Sequence, residues 1–234
     1  MDFPRMQAVR HYFNAHGALL AFLATVLFFL LLPNLDLTIS NWFYNEDGGF
    51  FLNHDFLVQL SYRLFHKIHY PVLAILCWLL YASWRWRRSS EQSLRRNLWF
   101  LILVLLLGPG LSVSLIKDYS GRARPAAVTE FGGEKDYSPA LRPAEQCDRN
   151  CSFVSGHAAM GFFFISLAWV FRDRRWLWFG IALGGLVGLG RIVQGGHFFS
   201  DVVFSFWTVY ANCVLLARLV LKRTSIQDPL KPWP

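Results

Sequence analysis

NLWFLILVLLLGPGLSVSLIKDYSGRARP, residues 97–125, is the stretch from which the fold can be read. Positions 97–116 hold no charged side chain, and a helix needs about 20 apolar residues to cross a hydrocarbon core. The run then breaks abruptly into Lys117, Arg122 and Arg124. Cations at the lip of an apolar span are costly unless they are paired or wet. This edge therefore carries a polar task.

Working outward, five more apolar stretches lie at roughly 17–33, 70–84, 155–171, 176–191 and 198–221. Together the six predict an all-α protein, a six-transmembrane helix bundle forming one domain over 1–234. The second and fifth are short, and a buried core helix is the other reading of those two. Composition points the same way: 54% of residues are hydrophobic and 16% charged, where soluble domains carry about a quarter charged. Trp and Tyr gather at the ends of the apolar runs, as amphipathic rings do at headgroup level.

A net charge of +8 raises nucleic acid as a partner; the placement of the cations argues for a lipid bilayer instead. Fourteen of the 23 Lys and Arg residues fall in four segments. These are Arg5 and Arg10; Arg85, Arg87, Arg88, Arg95 and Arg96; Arg172, Arg174 and Arg175; and Arg218, Lys222, Arg223 and Lys231. By the positive-inside rule these segments and both termini are cytoplasmic. The loops at 34–69, 117–154 and 192–197 then face outward. Arg5 and Arg10 followed by Gly17–Pro33 resemble a signal peptide, but no small-x-small cleavage site follows, which favours an uncleaved anchor helix.

Within the first outer loop, Phe56, Leu57, Leu60, Leu64, Phe65 and Ile68 recur at helical spacing. An amphipathic helix on the membrane surface, or an element packed over the bundle, is expected there. His54, His66 and His69 nearby receive no catalytic role. Cys77 and Cys213 sit in apolar runs and are expected to be buried thiols. Cys147 and Cys151 lie in a polar loop with too few neighbouring ligands for zinc. A local disulfide is expected if that loop meets an oxidising compartment.

Three clusters carry the chemistry, all on the predicted outer side. The first runs from Lys117 to Arg124-Pro125, the second is Ser155-Gly156-His157, and the third runs from Arg191 through His197 to Asp201. Lys117, Arg124 and Arg191 can pair with phosphate oxygens. Backbone N–H groups at Ser155 and Gly156, beginning a helix, can point at an anion. Together they describe a cradle for a phosphoryl group in its transition state. His197 and Asp201 are spaced i, i+4, so a helix beginning near His197 sets both on one face. The carboxylate fixes the imidazole tautomer and frees the other nitrogen to attack. His157 is placed to protonate the departing oxygen and then to activate water.

These residues resemble the type 2 phosphatidic acid phosphatases, which share an active site with vanadium haloperoxidases. Lys117, Arg124 and Pro125, then Ser155, Gly156 and His157, then Arg191, His197 and Asp201 match the family's three motifs. Val154 stands where Pro is usual and Gly190 where Ser is usual. The resemblance implies a helix bundle of the PAP2/haloperoxidase type, no metal or other cofactor, and the roles above. Leu32-Pro-Asn-Leu-Asp36, Phe43-Tyr44, 117–125, 146–153 and 194–204 are further similar to bacterial lipid A 4′-phosphatases. That likeness implies a Gram-negative inner-membrane enzyme acting at its periplasmic face on a lipid phosphate, through a phosphohistidine. Undecaprenyl diphosphate or phosphatidylglycerol phosphate hydrolysis, and phosphotransfer between lipids, would use the same motifs. A lipid transporter or a membrane scaffold leaves the ordered His, Arg and Lys set unexplained. Finally, the loop 126–150 is longer than a connector needs; either Lys135 or Arg142 in it reads the lipid headgroup, or it is a solvated loop tied down by its cysteines.

Overall fold

The computed structural model describes residues 3–85, 92–223 and 225–226, with side chains from residue 16 onward. Of the cations assigned to the cytoplasmic side, Arg87, Arg88 and Lys231 lie outside the described residues, as do the side chains of Arg5 and Arg10. The protein is helical, with one two-stranded hairpin, β1 (Tyr44–Asn45) and β2 (Gly49–Phe50), on the loop side. Among the described residues ten α-helices follow in chain order: α1 (Phe3–Leu31), α2 (Leu35–Asn41), α3 (Phe56–Lys67), α4 (His69–Arg85), α5 (Gln92–Leu105), α6 (Val113–Ser120), α7 (Gly156–Phe162), α8 (Leu167–Phe171), α9 (Arg174–Val193) and α10 (Phe199–Leu216).

The breaks between them have local causes. Pro33 restricts the residue before it to extended backbone, and the chain turns by 77° between His16–Leu31 and α2. The third predicted span is one long rod, Gln92–Ala127, but not a uniform one. At Gly108-Pro109-Gly110 it widens into a π-helical turn, Leu106–Ser112. Proline there has no N–H to give and its ring crowds the preceding turn, and a wide turn absorbs that mismatch. The predicted surface helix is α3, whose first turn is capped by Asp55 accepting from Leu57 N–H (2.9 Å) and Val58 N–H (3.1 Å). It meets α4 at a 42° bend.

Among the described residues three helices are long and apolar enough to cross a membrane: Gln92–Ala127, Arg174–Val193 and Phe199–Leu221. The count rises to five if each bent pair, α1 with α2 and α3 with α4, is one span. Gly156–Phe171 is apolar but shorter. It buries Ala158, Ala159, Met160, Phe162, Phe163 and Ile165 and is sheathed by other helices.

Close packing around that central rod depends on α9, which carries Gly180, Gly184 and Gly188 at four-residue spacing. A Cβ at Gly184 would lie 2.2 Å from the Phe162 ring, and one at Gly188 would lie 2.2 Å from a Val202 methyl. Such stripes of small residues let helices meet at backbone distance where no water drives them together. On the other flank α1 meets α10 through aromatic edges, Phe22 with Trp207 (5.4 Å) and Phe29 with Phe204 (5.6 Å). The exterior is apolar: Leu19, Leu23, Leu27, Ile75, Trp78, Trp178 and Leu186 are all exposed, as lipid-facing surfaces require. Cys77 corrects an expectation, since it is exposed on α4 while Cys213 is buried. The run it occupies faces outward in part.

The ends of the bundle differ in kind. At one end Arg96 on α5 donates to the Val220 carbonyl (3.1 and 3.0 Å), and Arg223 donates to the Trp169 carbonyl. These bonds gather the basic termini of α5, α8 and α10. At the other end Phe50, Ala123, Val128, Phe131 and Phe198 form a small second core. It seats the hairpin and the long loop over the bundle mouth.

Candidate active site

All three clusters arrive at this capped end. Lys117 ends α6, Gly156 and His157 open α7, Arg191 ends α9, and Asp201 lies in the first turn of α10. Helix α10 starts two residues after His197, so His197 is on the turn before it rather than on its face. The spacing nevertheless delivers the pair, with His197 Nδ1 3.4 Å from Asp201 Oδ2. That separation is long for a hydrogen bond, and such contacts often tighten when substrate arrives.

Asp201 is fully buried and closely held. Its carboxylate accepts from Phe198 N–H (2.8 Å), the Ser152 hydroxyl (2.5 Å) and Arg122 Nη1 (2.6 Å). Arg122 in turn reaches Asp36 through Nη2 (2.8 Å), Ser200 through Nη1 (2.8 Å) and the Ser138 carbonyl through Nε (2.8 Å). Asp36 also accepts from Ser200 N–H (2.8 Å) and the Ser200 hydroxyl (2.5 Å). A buried chain Asp36–Arg122–Asp201–His197 results, its three charged groups each at most 2% exposed. A guanidinium can serve two carboxylates because its donors form a planar fork.

Burial pushes the His197 imidazole well below its ordinary value of 6.5, with Asp201 opposing that push. The ring is therefore neutral at neutral pH, the state an attacking nitrogen requires. His157 stacks on Tyr62 with ring centroids 4.8 Å apart, and His66 stacks beside both, at 5.7 Å from His157 and 5.8 Å from Tyr62. The Arg191 guanidinium lies over the same Tyr62 ring at 4.7 Å and donates through Nη1 to Gln194. Gly196 leaves the space it needs, for a Cβ there would fall 2.2 Å from Arg191 Nη2. His157 Nε2 is buried without a hydrogen-bond partner among the described residues. Such an atom calls for an explanation, and a role in catalysis is one.

Lys117, Arg124, Gly156, His157 and His197 line one cavity of about 470 Å³. Tyr62, His66, His69, Ser114 and Asn150 add to its polar wall, while Phe65, Leu73, Leu105, Pro109, Val113 and Met160 line its apolar part. Arg191 stands behind Tyr62 and Asp201 behind His197. Ser155 departs from expectation. Its N–H is donated to the Asp201 carbonyl (3.1 Å), while its side chain caps Ala158 N–H (3.4 Å), so it supports the wall and its amide is not offered to an anion. The two loop cations are separated: Lys135 lines a cleft with Arg124, Arg149 and Asn150, whereas Arg142 lines a different one near Tyr119 and Phe153. Cys147 and Cys151 are joined by a disulfide, with Cα atoms 5.6 Å apart.

Sequence reading missed Asp36, Arg122, Ser152, Ser200 and Tyr62, and set His66 aside. A signal existed for two of them. Asp36 is an acid just past an apolar run, and Arg122 sits between the two cations of the first motif.

The PAP2 superfamily pattern matches residues 97–225, which contain all three clusters. The chain is 37% identical to a lipid A 4′-phosphatase of Francisella tularensis subsp. novicida (strain U112), over 83% of this chain and 93% of that protein. It is 29% identical to a lipid A 4′-phosphatase of Rhizobium leguminosarum, over 85% and 91% of the two chains. A lipid A 4′-phosphatase of Rhizobium etli is 31% identical over 77% of this chain and 71% of its own length. No solved structure matches.

Proposed function

The chain belongs to the PAP2 superfamily, and on that footing we propose that it is a membrane lipid phosphatase that hydrolyses the 4′-phosphate of lipid A through a phosphohistidine. The observation that carries the reading is the single cavity in which Lys117, Arg124, His157 and His197 meet, with Asp201 behind the nucleophile. The lipid phosphate sits between Lys117 and Arg124, with the Arg191 charge behind Tyr62 adding to the field that draws it in. His197 Nε2 attacks phosphorus, a P–N bond forms, and the P–O bond to the sugar breaks. Burial, and then the charges of Arg191, Arg124 and Lys117, push His157 down to about 3. The phosphate's negative charge offsets those cations, so His157 takes up a proton as the substrate binds. It gives that proton to the departing oxygen, then takes one from a water that attacks the phosphohistidine and releases inorganic phosphate. Asp201 stabilises the imidazole as it gains charge, and the cations hold the equatorial oxygens of the transition state. The apolar part of the cavity suits the lipid's hydrocarbon.

In this reading the single domain spans a bacterial inner membrane six times, with Gly156–Phe171 as the enclosed span. Its termini are cytoplasmic and its active site is periplasmic. Purified protein incubated with lipid A should release free phosphate and leave a product lacking the 4′-phosphate in the mass spectrum. His197→Ala should reduce turnover to background while the protein still inserts. Turnover surviving that change would refute the nucleophile. Release from glycerol or isoprenoid phosphates but not from lipid A would overturn the substrate.

A further inference from the structure

We propose that the Cys147–Cys151 disulfide is a positioning element of the phosphate site: the ring it closes fixes the backbone carbonyls that aim Lys117 and Arg124. The inference rests on the phosphatase reading above. Lys117 Nζ donates to the Cys151 carbonyl at 2.5 Å. Arg124 Nη2 donates to the Asn150 carbonyl at 3.0 Å. The next residue, Ser152, bonds Asp201 through its hydroxyl and donates its N–H to the Arg122 carbonyl at 2.8 Å. Three consecutive residues at the disulfide thus touch four members of the charged constellation. Asn150 holds a left-handed backbone, φ 52°, a region Asn enters more readily than most side chains. The ring closed between Cys147 and Cys151 spans that residue and keeps its carbonyl turned toward Arg124.

Long cationic side chains lose rotamer freedom when they are aimed, and here each is aimed by a loop carbonyl rather than by a carboxylate. A carboxylate would compete with phosphate for the cation; a neutral carbonyl orients the cation and leaves its charge for the substrate. That economy works only if the loop is stiff. Cys151 is buried and Cys147 is partly exposed, so a dithiol can reach the bond from the Cys147 side. Its thiolate attacks Cys147 Sγ and Cys151 departs as a thiolate that takes up a proton. The second thiol then closes the reagent to its own disulfide, leaving two protein thiols.

The test uses purified protein in detergent, oxidised, reduced with dithiothreitol that is then removed under argon, and reoxidised, with the thiol state checked by mass. Inorganic orthovanadate is the probe of the phosphate cradle. Reduction should lower kcat/KM on the lipid substrate at least 10-fold and weaken orthovanadate binding by a similar factor, well below the melting temperature, and reoxidation should restore both. The Cys147→Ala/Cys151→Ala variant should match the reduced protein and ignore dithiothreitol, while Cys77→Ser should behave as wild type. Unchanged kcat/KM and orthovanadate affinity after reduction would overturn the proposal, as would a fall in kcat alone with orthovanadate binding intact. If oxidised protein releases no phosphate from any lipid, the functional reading falls, and orthovanadate binding to the two redox forms still decides the role of the disulfide.

Discussion

Arg122 separates two carboxylates that would otherwise face each other inside the protein. Removing one partner of a buried ion pair leaves an uncompensated charge, at a cost of about 3–5 kcal/mol. Arg122→Ala should therefore destabilise the protein by that order, and it should depress kcat because Asp201 loses the neighbour that holds it. Arg122→Lys should rescue little, since one ammonium cannot fork across Asp36, Asp201 and the Ser138 carbonyl. Thermal melting and phosphate release on the two variants check this. His197 supplies a pH signature. The unfolded chain protonates this ring near its ordinary 6.5, whereas the folded chain resists. Unfolding then takes up a proton, and stability falls as pH falls below that value. The contribution is complete above pH about 6.5. Wild type should lose more melting temperature than His197→Asn between pH 7.5 and 5, and equal losses would contradict a neutral buried ring.

At the scale of elements, α3 reaches the chemistry by ring stacking rather than through an ion pair. It presents Tyr62, whose ring supports both His157 and Arg191. A guanidinium over an aromatic face is worth about 0.5–2 kcal/mol. Tyr62→Ala should thus lower kcat/KM by about 10-fold while Tyr62→Phe keeps most of it; steady-state kinetics on both variants measure the difference. Much of this architecture was legible in advance. The apolar runs at 70–84, 155–171, 176–191 and 198–221 coincide with helices to within a few residues, whereas α1 begins at Phe3, well before its apolar run, and the third rod extends past both ends of 97–116; α3 emerged from its apolar period alone. The order of Lys117, Arg124, His157, His197 and Asp201 located the site because each sits where an apolar run stops. What escaped was non-local. Asp36 and Arg122 are 86 positions apart, and no local pattern couples them. The Ser155 amide looked available because the Asp201 carbonyl that engages it comes from another helix. Pro109 announced a disturbance, but whether the helix would break, kink or widen depended on its neighbours.

For the molecule as a whole, polarity is the organising property. The basic ends of α5, α8 and α10 meet at one pole and the cations of the candidate site at the other, with an apolar belt between. Cations at the second pole are held by buried carboxylates, by loop carbonyls or, for Arg191, by Gln194 and the Tyr62 ring, while those at the first tie helix ends together. Under the proposed topology, a green fluorescent protein fused after Pro234 should fluoresce. A periplasm-dependent reporter inserted in the hairpin turn at Asp47 should be active; the opposite pattern would place the catalytic pole in the cytoplasm. The Asp36–Arg122–Asp201 relay adds a temporal consequence. Arg122 lies 86 positions after one of its acids and 79 before the other. Helices are made in chain order, so under the proposed mechanism a nascent chain that has placed α2 and α6 still carries Arg122 with half of its charge unanswered. Insertion of α10 brings Asp201 and the imidazole beside it together, so hydrolysis has to wait for that helix.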